Sequence, residues 1–173
     1  MLCILKANIS NISSVMYDRS PFPTIVLAAF LAGLLDLVLA IIVYSVLLDK
    51  ITAVQILQSV ASGAFGEAAY AGGIKMAALG IVFHFLISLL FTLFYFLVYP
   101  RLEFLRAHGV ISGIVYGIFI WMVMNLIVLP IAFSGMLPMD PGATMIGMSI
   151  IIIGVGLPIA LIAHFYYTRS TQY

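Results

Sequence analysis

Charge is what this sequence has least of. Asp, Glu, Lys and Arg make up 8% of its 173 residues, against about 25% in soluble domains. Seven basic and six acidic side chains cannot cover the surface of a soluble domain of this length. Hydrophobic residues reach 65% and the mean hydropathy is +1.27. The shortage of charge therefore excludes an ordinary soluble domain and indicates a chain whose main solvent is lipid.

Other absences narrow the possible functions. A lone cysteine, Cys3, excludes an internal disulfide and any cysteine-based metal site. A net charge of +1 lacks the excess of Lys and Arg that binds phosphate backbones, so we expect no nucleic-acid partner. Serine-hydrolase, zinc-protease and phosphate-loop motifs are missing, and Gly154-Val155-Gly156 is too short for a nucleotide fingerprint. We therefore expect no cofactor, no metal and no enzymatic activity.

Long apolar runs are what the sequence has in abundance. Four of them have the roughly 20 residues that a membrane-spanning helix needs, at about 23–48, 76–99, 110–133 and 143–167. The runs are continuous and not alternating, which excludes barrel strands. The sequence thus predicts an all-α integral membrane protein. Residues 23–168 form one four-transmembrane-helix bundle, between cytoplasmic tails at 1–22 and 169–173.

The segment between the first two runs, residues 49–75, has a different pattern. Thr52 and Gln55 match a capping box, and apolar residues recur at helical spacing, namely Ala53, Val54, Leu57, Val60, Ala61, Ala64 and Phe65. We predict an amphipathic helix over about 52–70, either interfacial or re-entrant. Glu67 and Lys75 flank its glycine-rich end and are secondary extracytoplasmic site candidates, expected to be solvated.

The distribution of basic residues predicts the orientation. Lys and Arg in short loops mark the cytoplasmic face. The two tails and the connection at 101–109 carry five of them, whereas the opposite face has only Lys50 and Lys75. Both termini are therefore expected in the cytoplasm. Aromatic residues at that face predict an interfacial belt, with His164 as a further anchor, and the belt consists of Tyr95, Tyr99, Tyr166 and Tyr167.

Asp36 is the strongest candidate for a functional residue. It is the one charge in the first span, and a carboxylate at the bilayer centre costs about 2.5–3.5 kcal/mol on insertion scales. Counting 1.5 Å per residue from the span ends places His84 and Asn125 at overlapping depths. We therefore predict a polar cluster of Asp36, His84 and Asn125 between three helices.

Small and polar residues define the helix faces that should pack inward. Gly80, His84, Ser88 and Thr92 recur every four residues and share one face, so Ser88 joins the candidate cluster. The first span has a small-residue face that contains Asp36, with Ala29, Gly33 and Ala40, and the third span has Gly113 and Gly117. Such faces let helices approach closely. The cluster is either a structural link between helices or a proton-titratable pair that lines a water-filled cavity.

Several segments resemble a family of membrane proteins. They are "ILQSVASGAFGEAAYAGG", "ALGIVFHFLIS", "YPRLEFL" and "GIVYGIFIWMVMNLIVLPIA". Together they are similar to the YagU-like family of uncharacterised small bacterial inner-membrane proteins, over about residues 24–168. The resemblance implies a bacterial inner membrane and four spans. It implies no reaction and no catalytic residue.

These observations leave three functional hypotheses. The first is a structural or stress-related component of the inner membrane without enzymatic activity. The second is a small proton-linked transporter or permeation unit that uses Asp36 and His84, and since four spans rarely enclose a path alone, it would act as a homodimer. The third, an intramembrane enzyme acting on lipid, is weakened by the missing motifs. The sequence names no small-molecule or ion substrate.

Overall fold

The computed structural model describes residues 20–132 and 140–170. Within these ranges the chain is helical, without strands. Its helices are α1 (Phe22–Leu47), α2 (Ala53–Phe65), α3 (Ala68–Ala71), α4 (Gly73–Arg101), α5 (Glu103–Ala107), α6 (Gly109–Ile131) and α7 (Pro141–Thr168). Four of these, α1, α4, α6 and α7, are long and apolar enough to cross a membrane. The predicted fold class is therefore confirmed.

The span boundaries differ from the predicted ones by a few residues. Helix α4 begins at Gly73, three residues before the predicted start, and the helical backbone of α7 continues to Ser170, into the predicted C-terminal tail. Most of the predicted N-terminal tail, with two of the basic residues used for orientation, lies outside the described residues, as does the predicted end of the third span at Phe133. In the most apolar stretch of each span only 22–33% of residues are buried, so most side chains face outward, as lipid contact requires.

Glycines set the closest helix contacts. Helix α1 packs against α4 and α7, and α7 packs against α6. A methyl group at Gly117 of α6 would lie 2.6 Å from the Ile152 Cα, and one at Gly113 would lie 3.0 Å from the Leu157 Cα. Since neither position has room for a side chain, the small-residue face of the third span is confirmed as a packing surface. Gly154 of α7 likewise lies against the backbone of Asp36, with 2.8 Å between its notional Cβ and the Asp36 Cα.

One end of the bundle is an aromatic core. It is formed where α1 and α6 begin and α4 and α7 end, and we call it the terminal end. The Tyr95 hydroxyl bonds the Ser112 hydroxyl at 2.9 Å, and the Tyr116 hydroxyl donates to the Phe91 carbonyl at 2.6 Å. Each tyrosine thus combines a large apolar contact area with a satisfied polar group.

The belt prediction is wrong for Tyr95 and Tyr99. Both are only 1% exposed, because they pack between helices and not at the lipid–water interface. The Tyr99 hydroxyl lies 2.9 Å from Nδ1 of His164. His164 is therefore half-buried and tied to α4, which makes it part of the core at this end.

Helix α2 begins as predicted. Thr52 accepts a hydrogen bond from the Gln55 backbone, and the Gln55 side chain accepts one from the Thr52 backbone at 2.9 Å. This reciprocal pair is a complete capping box. The predicted amphipathic helix is thus confirmed, although it ends at Phe65 and the short helix α3 follows.

The buried face of α2 is partly polar. Gln58 and Ser62 are buried, while Val54 and Phe65 are exposed, and Gln58 Nε2 donates to the Gly73 carbonyl at 3.1 Å. The reason is the close approach of α2 to α4, where the Leu57 carbonyl lies against Gly80. Small and hydrogen-bonding side chains suit such close contacts between membrane helices. Part of the apolar side of α2, including Val54 and Phe65, is left exposed, whereas Ala61 is fully buried.

Helix α2 packs along the first half of α4. The helix has 13 residues, roughly 20 Å, which is too short to cross the bilayer. Its last residue, Phe65, packs on the ring of Phe83 with centroids 6.0 Å apart. Phe83 lies ten residues after Gly73, roughly 15 Å along α4. Helix α2 therefore descends beside α4, and the chain then returns to the start of α4.

Three spans contain a widened, π-helical stretch. They are Ile41–Leu47 in α1, Val123–Val128 in α6 and Ile152–Gly156 in α7. In α6 and α7 a proline, Pro130 or Pro158, follows two residues later. A proline ring clashes with the carbonyl four residues earlier, and both of those carbonyls belong to the widened stretches. The prolines thus give a local reason for two of the three.

Candidate functional site

The candidate site is centred on Asp36. This residue lies eleven positions before Leu47, roughly 16 Å from that end of α1. Its side chain is half-buried. Its Oδ1 atom is fully buried and has no hydrogen-bond partner, the one such side-chain atom in residues 20–132 and 140–170. Buried carboxylates in membrane helices are normally paired, so the unpaired Oδ1 distinguishes Asp36 from the other buried polar side chains that the structure describes.

A pocket of about 440 Å³ lies beside Asp36, between α1, α6 and α7. It is lined by Asp36, Ala40, Tyr44, Trp121, Asn125, Asp140, Ala143, Thr144, Gly147, Ile150 and Ile151. Asp140 immediately precedes α7, whereas Asp36 is opposite Gly154, well inside the bundle. The pocket thus runs from the end of the bundle that carries α2, which we call the α2 end, towards its middle.

Asp140 sits at the mouth of this pocket. Its carboxylate caps α7, with one oxygen accepting from the Gly142 amide at 3.0 Å and the other from the Ala143 amide at 3.1 Å. A negative charge here is favoured by the helix dipole. The sequence reason is local, since an aspartate followed by a proline is a typical helix start.

Two aromatic residues form the middle of the pocket wall. A methyl group at Gly147 would lie 3.4 Å from the Tyr44 hydroxyl and 3.7 Å from Trp121 Nε1. The absence of a side chain at Gly147 therefore leaves open space between a phenol and an indole. Asn125, one turn beyond Trp121, donates its Nδ2 to the Trp121 carbonyl at 3.0 Å, which holds the amide against its own helix.

The widened helical stretches surround this pocket. Tyr44 and Asn125 belong to two of them, and Ile151 immediately precedes the third. Isolated π turns in helices occur frequently at functional sites. Their convergence from three helices on one pocket distinguishes it from the rest of the bundle.

The structure brings part of the predicted cluster together. Asp36 and Asn125 line the same pocket, and Asp36 interacts electrostatically with His84. No hydrogen bond joins Asp36 to His84, however, and Nε2 of His84 instead lies 2.8 Å from the Gly33 carbonyl. Since a carbonyl can only accept, Nε2 carries the hydrogen in this pair.

Ser88 has the same role as His84. Its hydroxyl donates to the Ala29 carbonyl at 2.8 Å. Both side chains therefore attach the polar stripe of α4 to backbone carbonyls of α1, and neither lines the pocket. Glu67 and Lys75 are exposed and lie outside the pocket as well. For all of these residues a functional role stays a prediction.

Sequence reasoning missed most of the pocket lining, although three of the missed residues carried a signal. Tyr44 lies eight residues after Asp36, so it shares its helix face. Trp121 lies four residues before Asn125 in the same relation. Asp140 stands before Pro141 as a helix start. What the sequence could not provide is the packing of α7 against α1, which brings these faces together.

The described part of the chain has no candidate metal site and has one further groove, which is apolar. In the part of the chain that the structure describes, no group of three or more His, Cys, Asp or Glu side chains could hold a metal ion. A second groove, of about 390 Å³, lies between α4 and α6. Its lining is entirely apolar, with residues such as Leu90, Phe94 and Phe119, so it suits hydrocarbon and carries no chemistry.

Comparison with known proteins adds nothing to this geometry. No protein-family model, no curated protein and no solved structure matches the chain. The interpretation of the pocket therefore rests on its own residues, and the chain is a four-span membrane protein with a carboxylate pocket at the α2 end.

Proposed function

We propose that the protein is a small, non-enzymatic permeation unit that moves a proton or another cation by way of Asp36. The supporting observation is Asp36 itself, which lines the inner end of the pocket and whose Oδ1 atom is buried without a hydrogen-bond partner. An isolated buried charge is unfavourable. A proton or a cation from the pocket would remove that cost. Asp36 would therefore bind and release a proton or a cation reversibly.

The groups around Asp36 support a cation rather than an anion. The titratable groups near Asp36 are Tyr44 on its own helix and His84 on α4, while Asp140 lies at the far mouth of the pocket and α6 contributes the neutral Asn125. Nε2 of His84 is bound to the Gly33 carbonyl, and no hydrogen bond joins His84 to Asp36, so the carboxylate has no direct basic partner.

The location and assembly belong to the same proposal. The excess of Lys and Arg at the terminal end favours both termini in the cytoplasm, so the pocket would open to the outside. The resemblance to the YagU-like family favours a bacterial inner membrane. In one copy the pocket leads only from the α2 end to Asp36. A homodimer or larger homo-oligomer would supply the rest of the path, from Asp36 to the terminal end.

Proton flux into proteoliposomes tests this role. The purified chain is reconstituted with a trapped pH-sensitive dye, and a potassium–valinomycin potential drives uptake. Asp36→Asn keeps the size and hydrogen-bonding capacity of the side chain but removes its titration. We expect flux in the wild type and loss of most of it in the variant.

Asp49→Asn is the matched control. It makes the same chemical change at an exposed residue just beyond α1 and outside the pocket. Asp49 has a positive φ of 48°, a conformation that asparagine also tolerates. Equal flux in the wild type and Asp36→Asn, with both proteins folded, would exclude the proposed role.

His84 and Ser88 favour a second, structural function for part of the site. Their hydrogen bonds to the Gly33 and Ala29 carbonyls link α4 to α1 without reaching the pocket. If flux depends on Asp36 but survives His84→Gln, which retains a donor for the Gly33 carbonyl, then His84 serves the bundle and not the path.

A further inference from the structure

The lining of the pocket has one sign of charge. Asp36 and Asp140 are its two charged residues, and none of the side chains that line it is basic. Asp140 is partly compensated by the amides of α7 that it accepts from. Asp36 has no such compensation at Oδ1. A ligand in this pocket therefore meets an uncompensated negative group at the inner end and a second acid at the mouth.

The rings in the wall favour an organic cation over a bare ion. The Tyr44 hydroxyl and the Trp121 ring nitrogen lie beside Gly147, and both residues line the pocket; aromatic side chains are common partners of ammonium groups. Calcium and magnesium require about six or more oxygen ligands, whereas an indole and several aliphatic side chains occupy much of this wall. The combination of one unpaired carboxylate with aromatic and aliphatic surface is typical of ammonium recognition.

The size of the pocket fits the same class of ligand. About 440 Å³ falls in the range of about 300–1,000 Å³ seen for small-molecule sites. A proton or a sodium ion requires far less space. The pocket therefore has room for a ligand with an organic body as well as a charge.

We infer that the pocket between α1, α6 and α7 binds a small organic ammonium ion, with Asp36 as its counter-ion and Trp121 and Tyr44 against its body. This inference rests on the proposed role of Asp36 in cation movement and names the class of cation. The ammonium group could belong to a free amine or to a lipid headgroup, since both present the same chemistry to the carboxylate.

The chain contains its own reporter for this binding. Trp121 is the one tryptophan in the sequence and it lines the pocket. The full-length protein is purified in an uncharged maltoside detergent, and its tryptophan fluorescence is followed while choline is added. A parallel titration uses 3,3-dimethylbutanol, in which carbon replaces the ammonium nitrogen so that shape is kept and charge is lost.

We expect saturable quenching or a spectral shift with choline and no saturable response with the neutral analogue. Asp36→Asn should raise the half-saturating choline concentration by roughly tenfold to a hundredfold, because the trimethylammonium group has no N–H to donate and is held at this carboxylate by charge. Gly147→Leu should abolish the response by filling the space. Asp49→Asn should behave as the wild type.

Two lipid arms identify the source of the ammonium group. In nanodiscs of phosphatidylcholine, the choline response is lost if headgroups occupy the pocket, whereas it persists in phosphatidylglycerol nanodiscs. Retention of the response in both arms assigns the pocket to a free amine.

Equal responses to choline and dimethylbutanol, or equal choline affinity in the wild type and Asp36→Asn, would overturn the inference. If those results occurred while Asp36-dependent proton flux remained, the ammonium site would be rejected and the proposed function kept. Choline binding without any Asp36 dependence of flux would instead reject the proposed function alone.

Discussion

The two ends of the bundle solve the problem of polar groups in lipid differently. At the terminal end, the hydroxyls of Tyr95, Tyr116 and Tyr99 each have a partner on another helix. At the α2 end, Asp36 keeps a buried oxygen without one. The first end uses its polar groups to fix helix positions, while the second leaves open a pocket of about 440 Å³. The hydrogen bonds at the terminal end stabilise the bundle, whereas the unpaired Asp36 at the α2 end lowers its stability and is better explained by a functional role.

The largest effect is expected where α6 and α7 touch. Gly117→Val would place side-chain atoms into the Ile152 backbone, so the two helices would have to separate. Overpacking costs about 1–3 kcal/mol in cores, and this contact is to backbone, so we expect at least that loss in the free energy of unfolding. Unfolding in mixed dodecyl sulfate micelles measures it.

Gly63→Ala is the control for that measurement. Gly63 lies inside α2, and a methyl group there meets nothing within 4 Å. Alanine is a better helix former by up to about 1 kcal/mol, so a neutral or slightly stabilising result is expected. Equal destabilisation by both substitutions would mean that glycine content, and not the α6–α7 contact, decides stability.

The second effect has the opposite sign. Asp36→Leu removes an unpartnered buried carboxylate, and an unsatisfied buried polar group costs about 1–3 kcal/mol. We therefore expect the variant to be more stable than the wild type by a comparable amount in the same assay, with proton flux lost. A substantial loss of stability would show that Asp36 is a structural link, and the contrast between the two ends would disappear.

The third effect tests the terminal end by removing one oxygen. Tyr116→Phe deletes the hydrogen bond to the Phe91 carbonyl and leaves that acceptor buried, which costs about 1 kcal/mol. Tyr70→Phe makes the same change at an exposed residue, 47% accessible, and should have no measurable effect. Identical behaviour of the two variants would argue against a tightly satisfied core.

The smallest effect is expected for His84. Hydrogen bonds between membrane helices average about 0.6 kcal/mol, so His84→Ala should lower stability by about that amount, and His84→Gln should lower it less. A change of several kcal/mol would indicate that His84 also compensates Asp36 directly. Both variants are measured by the same unfolding assay.

The sequence was a good guide to elements whose physics is local. Apolar length alone located the spans, and Thr52 with Gln55 located the start of α2. Spacing also identified Gly113 and Gly117 as a contact face. These features depend on residues within a few helical turns of one another, so the local amino-acid sequence is enough to predict them.

It was a poorer guide wherever a distant contact decides the outcome. The buried face of α2 is set by Gly80, more than twenty residues away, which lets Gln58 and Ser62 point inward. Tyr95 and Tyr99 are tyrosines near the end of a span, as in an interfacial belt, but they lie in the aromatic core. The counting of depth placed Asp36 and Asn125 at one level, and both line the same pocket, but it could not show that His84 binds the Gly33 carbonyl.

The close packing of α2 against Gly80 also affects the order in which the helices insert into the membrane. A helix of 13 residues that contains Gln55 and Gln58 is too short and too polar to enter a bilayer by itself. Its buried partners, the Gly73 carbonyl and Gly80, are synthesised after it. We therefore expect α2 to wait at the membrane surface until α4 has inserted. The second span thus acts as the template for the segment that precedes it.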